Sequence, residues 1–274
     1  MPPIIVAELF PDIGQHLLAL LRSLAPDEWH LPTSSSKRSV KDVASHLLDG
    51  SLRRLSMQRD RYSPPGPKPE ESILDFLNRL NADWDVAIRR LSPAVIVGLV
   101  EWADPQVAEL FKSLDPFDRA IFPVAWAGEQ QSQNWMDVAR EFTEKWHHTQ
   151  QIFEATGRRS TITGRRLFHP CLDTLMRALP FTYRNVAAEP GSTVAVVVGG
   201  EAGGAWFIEH SHDGWRQVVE PTLAPRSTVM LDQMTAWRLV TKRRSREAVL
   251  AEFPDIRIEG ELGDHVLEMV SMMA

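Results

Sequence analysis

Residues 142–157, FTEKWHHTQQIFEATG, place a carboxylate four residues ahead of a histidine. On an α-helix, residues four apart lie one turn above each other, so the side chains of Glu144 and His148 can reach one point. Carboxylate oxygen and imidazole nitrogen are both ligands of zinc-like ions. The spacing fits a metal site, and it also fits an exposed helical pair that only stabilises the helix.

A third ligand must come from elsewhere, because a catalytic zinc-like site takes three protein donors and leaves a fourth position open. His46 is the natural third donor, since it borders the apolar stripe of an earlier predicted helix. We predict that His147 is either a supporting neighbour of the ligands or exposed to solvent. A metal-binding imidazole uses one ring nitrogen while a hydrogen bond at the other fixes the tautomer.

Helices must position these donors, and the first half of the chain has the apolar periodicity of helices separated by proline-bearing breaks. Ser39 is predicted to cap the second helix, with Asp42 in its first turn. A shorter, less regular helix is expected between residues 93 and 117. The other predicted helices cover residues 13–24, 39–57, 72–91 and 134–157.

The composition changes after residue 158, where runs of β-branched and aromatic residues begin. These runs predict strands at 193–198, 206–210 and 215–219. Helical patterning returns at 231–241 and 263–273, and strands followed by helices predict an α+β domain. We therefore expect two domains, residues 1–158 and residues 159–274.

The charge balance argues against several classes of partner. A net charge of -6 and a pI near 5.9 give no broad attraction to nucleic acid or anionic lipid. No apolar run approaches the roughly 20 residues that cross a bilayer, and the amino terminus lacks a signal-peptide pattern. We expect a cytoplasmic monomer or homodimer, with no nucleic-acid partner and no membrane partner.

Two segments, SVKDVASHLLDG at 39–50 and EKWHHTQQIFEATG at 144–157, resemble the signature segments of the mycothiol-dependent maleylpyruvate isomerase family. The resemblance implies a DinB-like four-helix bundle that holds one divalent metal ion, usually zinc, on His46, Glu144 and His148. Gln151 departs from the family pattern, because many members have aspartate there.

The end of the chain carries a second resemblance. RSTVMLDQMTAWRLVTKR at 226–243 and IRIEGELGDHVLEMVSMMA at 256–274 are similar to the closing part of the small sterol-carrier-like α+β domain that family members attach to the bundle. The implied fold class is therefore an α bundle followed by an α+β domain.

The family chemistry implies a low-molecular-weight thiol cofactor such as mycothiol and a small anionic substrate such as maleylpyruvate. In the named isomerase the thiol adds to a cis double bond, rotation follows, and the thiol leaves. A metal with an open position would serve this by lowering the pKa of a bound thiol. The single cysteine of the chain, Cys171, is predicted to be buried in a helix and inert.

An anionic substrate needs a cationic partner, and the arginine fork suits carboxylates best. The family is thought to use an arginine of the carrier-like domain, which makes Arg238, Arg243 and Arg244, in and before the run KRRSR, the candidates. The alternative for this run is a solvated helix end with cations at its negative terminus.

The leading hypothesis is a metal-dependent isomerase or S-transferase with its active site in the cleft between the two domains. One alternative is a non-enzymatic binder whose sheet holds an apolar ligand and whose metal is structural. Another is a metal-dependent hydrolase, because a metal acidifies bound water. His210 and His212 beside the predicted turn SHDG are expected to be exposed hairpin residues.

Overall fold

The computed structural model describes residues 1–34, 38–241 and 246–271. Arg243 and Arg244, two of the three predicted substrate-binding arginines, lie outside the described residues. No helix in the described ranges combines the length and the apolar composition that a membrane span requires.

The chain packs into two compact units, each of which gathers segments that are distant in sequence. The first, here called the helical unit, consists of Val6–Asp115 and Glu144–Ile162. The second, here called the sheet unit, consists of Met1–Ile5, Pro116–Thr143 and Thr163–Ala274. This grouping follows packing, and the folding boundary expected near residue 158 remains a prediction.

The helical unit is built from amphipathic helices whose apolar faces form its core. The helices are α1 (Phe10–Arg22), α2 (Val40–Arg54), α3 (Ile73–Ile88), α4 (Pro93–Ser113) and α5 (Asn134–Ala155). In this unit α2 packs against α3 and α4, and α1 packs against α4. α2 continues into one turn of π-helix, Leu55–Arg59. Helix α5 begins in the sheet unit and ends in the helical unit.

The bounds confirm the predicted helices at 13–24, 72–91 and 134–157 to within about three residues. The expectation of a short, irregular helix between 93 and 117 is wrong, because α4 is 21 residues long and continues through Pro105. Pro93 is accommodated in the first turn, where its missing N–H is not needed. The buried apolar stripe of α4 then outweighs the hydrogen bond lost at Pro105, and it comprises Ile96, Val100, Ala103, Val107 and Phe111.

A capping box fixes the start of α2, as the sequence predicted. The Ser39 hydroxyl accepts a hydrogen bond from the Asp42 backbone N–H at 3.3 Å, and the Asp42 carboxylate accepts from the Ser39 backbone N–H at 2.9 Å. Two of the free donors at the helix start are satisfied in this way. Because the cap sets where α2 begins, it also sets the direction in which His46, two turns later, projects.

The sheet unit contains a mixed five-stranded sheet with helices beside it. The strands are β1 (Thr193–Gly199), β2 (Gly204–Ser211), β3 (Gly214–Val218), β4 (Ser227–Asp232) and β5 (Arg257–Glu259), and the helices are α6 (Arg165–Met176), α7 (Leu179–Thr182), α8 (Gln233–Val240) and α9 (Arg246–Glu252). The strand order is β3-β2-β1-β4-β5. β1 and β4 are parallel, and the other neighbouring strands are antiparallel. α8 packs on β1, β4 and α6, so the predicted combination of sheet and helices is confirmed.

Two predicted helices of this unit need correction. The helix expected at 231–241 begins only at Gln233, because Asp232 ends β4 and its carboxylate accepts from the N–H groups of Met234 and Thr235. The stretch expected to be helical at 263–273 is described only to residue 271, and this part forms a 3₁₀ segment, Gly263–Glu268, followed by extended Met269. Val266, Leu267 and Met269 are all buried by this irregular path, so their burial requires no helix.

Replacing Ser39 by alanine should lower the free energy of unfolding by about 1 kcal/mol, because the side-chain half of the capping box is lost. Urea denaturation followed by circular dichroism measures this difference. Ser39→Thr is the matched control and should keep most of the stability, since threonine also caps helices. An unchanged midpoint for Ser39→Ala would show that α2 does not depend on this cap.

Candidate metal centre

Three side chains from two helices of the helical unit converge: His46 from α2, and Glu144 and His148 from α5. One ligand atom from each lies within 4.8 Å of the other two. Glu144 Oε2 is 3.2 Å from His148 Nε2, and the ring centroids of His46 and His148 are 4.9 Å apart with ring planes at 82°. The structure therefore brings together the three residues that the sequence singled out.

The pair on α5 is not an exposed helical pair, because the His148 side chain is only 5% exposed. Glu144 and His46 are half-buried, so solvent reaches part of both side chains. α5 is buried on nearly every face, although many of its residues are polar. A polar helix in such a place needs partners for each buried group. Its buried polar residues include Thr143, Lys145, His147, His148, Thr149, Gln150 and Gln151.

Gln151 determines which nitrogen of His148 faces the other donors. Its amide oxygen lies 2.8 Å from His148 Nδ1, and its amide nitrogen donates to Ser34 Oγ at 3.3 Å. An amide oxygen can only accept, so Nδ1 donates to it and Nε2 is the ring nitrogen that faces Glu144. Gln151 stands where many family members have aspartate, and its amide oxygen still accepts the hydrogen bond from His148 Nδ1. The lack of a carboxylate here therefore does not remove the support of His148.

His147 is buried, with 2% of its surface exposed, which excludes the solvent-exposed position that the sequence left open. Its ring packs edge to face against His148, with centroids 4.8 Å apart. The helical periodicity placed His147 on the side away from Trp135, and that side is also covered by protein. His147 is thus a packing neighbour of a candidate ligand.

A buried ion pair connects α5 to α4 next to the three donors. Lys145 Nζ lies 2.7 Å from Asp104 Oδ2, and both side chains are less than a tenth exposed. Ser51 on α2 donates to the other Asp104 oxygen at 3.3 Å. These contacts join α2, α4 and α5, and sequence patterns gave no signal for them because the partners are distant in the chain.

A second polar group lies one turn beyond His46 on α2. Arg53 donates through Nη2 to the carboxylate of Asp49 and, at 3.2 Å, to Asn81 Oδ1 of α3. Burial raises the pKa of the Asp49 carboxyl despite the opposing effect of the neighbouring Arg53 guanidinium. Burial likewise raises the pKa of Asp85 on α3.

The other residues considered from the sequence have ordinary environments. Cys171 is fully buried, and burial raises the pKa of its thiol far above the usual value, which confirms the prediction of an inert cysteine. His212 is exposed, and His210 packs on Trp215 with centroids 5.1 Å apart. Arg238 is exposed on α8 with its guanidinium 6.0 Å from the Trp237 ring centroid, and its proposed role remains a prediction.

The converging residues fit a zinc-like ion by type and number. Two neutral imidazoles and one carboxylate match a three-ligand catalytic set. The 3.2 Å between Glu144 Oε2 and His148 Nε2 is close to the separation of about 3.3 Å that tetrahedral geometry gives two ligands of one zinc ion. With Nδ1 donating to Gln151, Nε2 is the ring nitrogen of His148 that a metal ion beside Glu144 would use.

Comparison with known proteins gives a likeness in structure without one in sequence. No family model matches the chain, and no curated protein matches it. A solved structure described as the mycothiol-dependent maleylpyruvate isomerase superposes with a TM-score of 0.53 at 11% identity, covering 86% of this chain and 87% of that one. A variant of that isomerase, with one histidine replaced by alanine, gives a TM-score of 0.50 over the same shares.

The likeness spans most of both chains, so this protein has the fold of that isomerase. Similarity at 11% identity establishes the fold and leaves the activity to be argued from the site. The implied combination of helices and a sheet is confirmed, whereas the DinB-like, four-helix and sterol-carrier-like descriptions remain predictions.

Replacing Gln151 by leucine should remove the hydrogen bond that His148 Nδ1 donates, because the acceptor is lost while the side-chain volume is nearly kept. Nitrogen-15 NMR of the imidazole, recorded on chelator-treated protein, measures the chemical shift of Nδ1, which changes with that bond. Gln150→Leu is the matched control, since Gln150 is a buried neighbour that accepts from Ser160 and not from His148. A His148 Nδ1 shift that is the same in both variants would contradict the role of Gln151.

Proposed function

We propose that the protein is a metal-dependent isomerase or S-transferase that uses a low-molecular-weight thiol of the mycothiol type. Its substrate is a small anion such as maleylpyruvate. The observation that carries this proposal is the convergence of His46, Glu144 and His148 within 4.8 Å. It occurs in a chain whose fold is that of a mycothiol-dependent isomerase.

His46, Glu144 and His148 hold the divalent cation, and zinc suits their donor set best. Two neutral imidazoles and one carboxylate carry one negative charge, so the loaded site keeps one positive charge. Bound zinc supplies a Lewis acid that lowers the pKa of a thiol into the neutral range. The half-exposed side of Glu144 and His46 is the side from which a thiol and a substrate reach the site.

The protein does not supply the nucleophilic sulfur itself. Its single cysteine, Cys171, is fully buried, and its raised thiol pKa disfavours the thiolate. Thiol chemistry at this site therefore requires a free thiol as cofactor or co-substrate. Arg238, Arg243 and Arg244 remain the proposed carboxylate-binding residues of the sheet unit.

Elemental analysis tests the metal. Purified wild-type protein should carry about one equivalent of zinc, and His46→Ala should lose most of it because only two donors remain. His212→Ala is the matched control, since His212 is exposed in the β2–β3 hairpin and should leave the zinc content unchanged. Wild-type protein that binds no divalent metal would contradict the proposed function.

Titration of the cobalt-substituted protein tests the thiol. Mycothiol should add a sulfur-to-cobalt charge-transfer band in the near ultraviolet and alter the visible bands, because a thiolate becomes a ligand. Glutathione serves as a comparison thiol, and His46→Ala should give no specific change. A wild-type spectrum that no thiol alters would refute thiol use and favour a hydrolase or a structural metal.

A further inference from the structure

Arg53 lies on the same face of α2 as His46. The two residues are seven positions apart, which is two turns and within about 20° of the same direction. Both belong to the helical unit, so their relation depends on the geometry of one helix. Arg53 is the last residue but one of that helix, just before the π-helical turn Leu55–Arg59.

The guanidinium of Arg53 is directed back along α2, toward the amino-terminal end of that helix. Side chains on a helix lean in this direction, and Nη2 of Arg53 is bonded to Asp49, one turn earlier. Asp49 is three residues from His46, a rise of about 4.5 Å along the axis. The charged end of Arg53 is therefore displaced by roughly one helical turn along α2 from His46.

Most donors of this guanidinium are unused. Asp49 and Asn81 both bond Nη2, whereas Nε is buried without a hydrogen-bond partner. No described residue bonds Nη1, and the side chain is 31% exposed. Two anchored contacts fix the orientation of the planar group, and a buried donor without an acceptor is costly. The guanidinium of Arg53 is thus held in one orientation, and some of its N–H groups have no acceptor within the described residues.

The surface of α2 is open at Gly50, between His46 and Arg53. Gly50 lies one turn after His46 and three residues before Arg53, and a Cβ atom added there would meet nothing within 4 Å. Because glycine has no side chain, a small molecule can pass over Gly50 as it extends along α2 from His46 toward the guanidinium.

We propose that Arg53, held by Asp49 and Asn81, binds a carboxylate of the substrate and thereby selects small dianions whose second carboxylate lies about one helical turn from the metal-binding trio. This inference deepens the proposed function and rests on it for the position of the other substrate end. With Nη2 bonded to Asp49 and Asn81 and Nε buried, the two N–H groups of Nη1 remain to bind a carboxylate. Asp49 and Asn81 act as positioning residues.

A purely structural ion pair between α2 and α3 would make a different prediction. It would affect stability and leave the preference between ligands unchanged. The preference for a dicarboxylate over the matching monocarboxylate is therefore the quantity to measure. Maleate and (Z)-but-2-enoate form a suitable pair, because a methyl group in the second replaces one carboxylate of the first.

Isothermal titration of the zinc-loaded protein should show maleate binding at least tenfold more tightly than (Z)-but-2-enoate. Arg53→Gln should reduce the maleate affinity by tenfold or more and change the monocarboxylate affinity less than twofold. Arg53→Lys keeps the charge beside Asp49 and should fold normally, yet it should still lose several-fold because a single ammonium group cannot bond Asp49 and Asn81 and also present separate N–H groups to the substrate. Arg22→Gln removes an exposed ion pair with Glu101 in the same unit and should change neither affinity.

Zinc content measured on the same samples separates the two claims. Normal zinc in every variant, with the maleate preference retained in both Arg53 variants, would overturn the role of Arg53 and leave the proposed function standing. Wild-type protein without zinc would defeat the proposed function. The role of Arg53 would then be tested by titrating the metal-free protein with maleate, because the contact of Arg53 with maleate needs no metal ion. Equal maleate binding by wild type and Arg53→Lys would overturn that role.

Discussion

Burial of polar side chains along α5 is the constraint on which the organisation of the helical unit depends. A buried polar group without a partner costs more free energy than a hydrogen bond normally contributes, so each such group restricts the positions of its neighbours. Lys145 requires Asp104 on α4, and Gln151 links His148 to Ser34. These partners come from separate parts of the chain, and satisfying them holds α5 beside α2, where His46 meets His148.

The parts of this arrangement that the sequence predicted are those governed by local periodicity. The spacing of Glu144 and His148 follows from the pitch of a helix, and the Ser39 cap follows from the chemistry of free N–H groups. The contact of His46 with that pair is long-range in sequence. The position of His46 at the edge of an apolar stripe made it a candidate for the third ligand, and the family resemblance named it as that ligand. Strand β4 was missed because Leu231 continues the helical pattern of α8, although it pairs with β1.

The contacts around the donors could not be predicted for a related reason. Periodicity showed that His147 lies away from the apolar stripe, but it does not show whether another helix covers that side. The bond between Gln151 and His148 was hidden because a glutamine three residues after a histidine is common on exposed helix faces. The Lys145–Asp104 pair has partners 41 positions apart, and nothing local to either residue distinguishes it from a surface pair.

The electrostatic layout of α2 bears on which chemistry the fold carries out. A zinc site with three protein ligands serves hydrolases as well as thiol-dependent enzymes, so the donors alone do not separate these reactions. A cis-to-trans isomerisation places a particular demand on a site, because one end of the substrate must stay fixed while the other turns about the former double bond. Arg53 would hold the fixed end of the substrate about one turn along α2 from His46, and the other end would turn beside Gly50, where an added Cβ atom would meet nothing within 4 Å. A hydrolase needs no such second anchor, and for this reason the helix that carries His46 is more informative about the reaction than the trio itself.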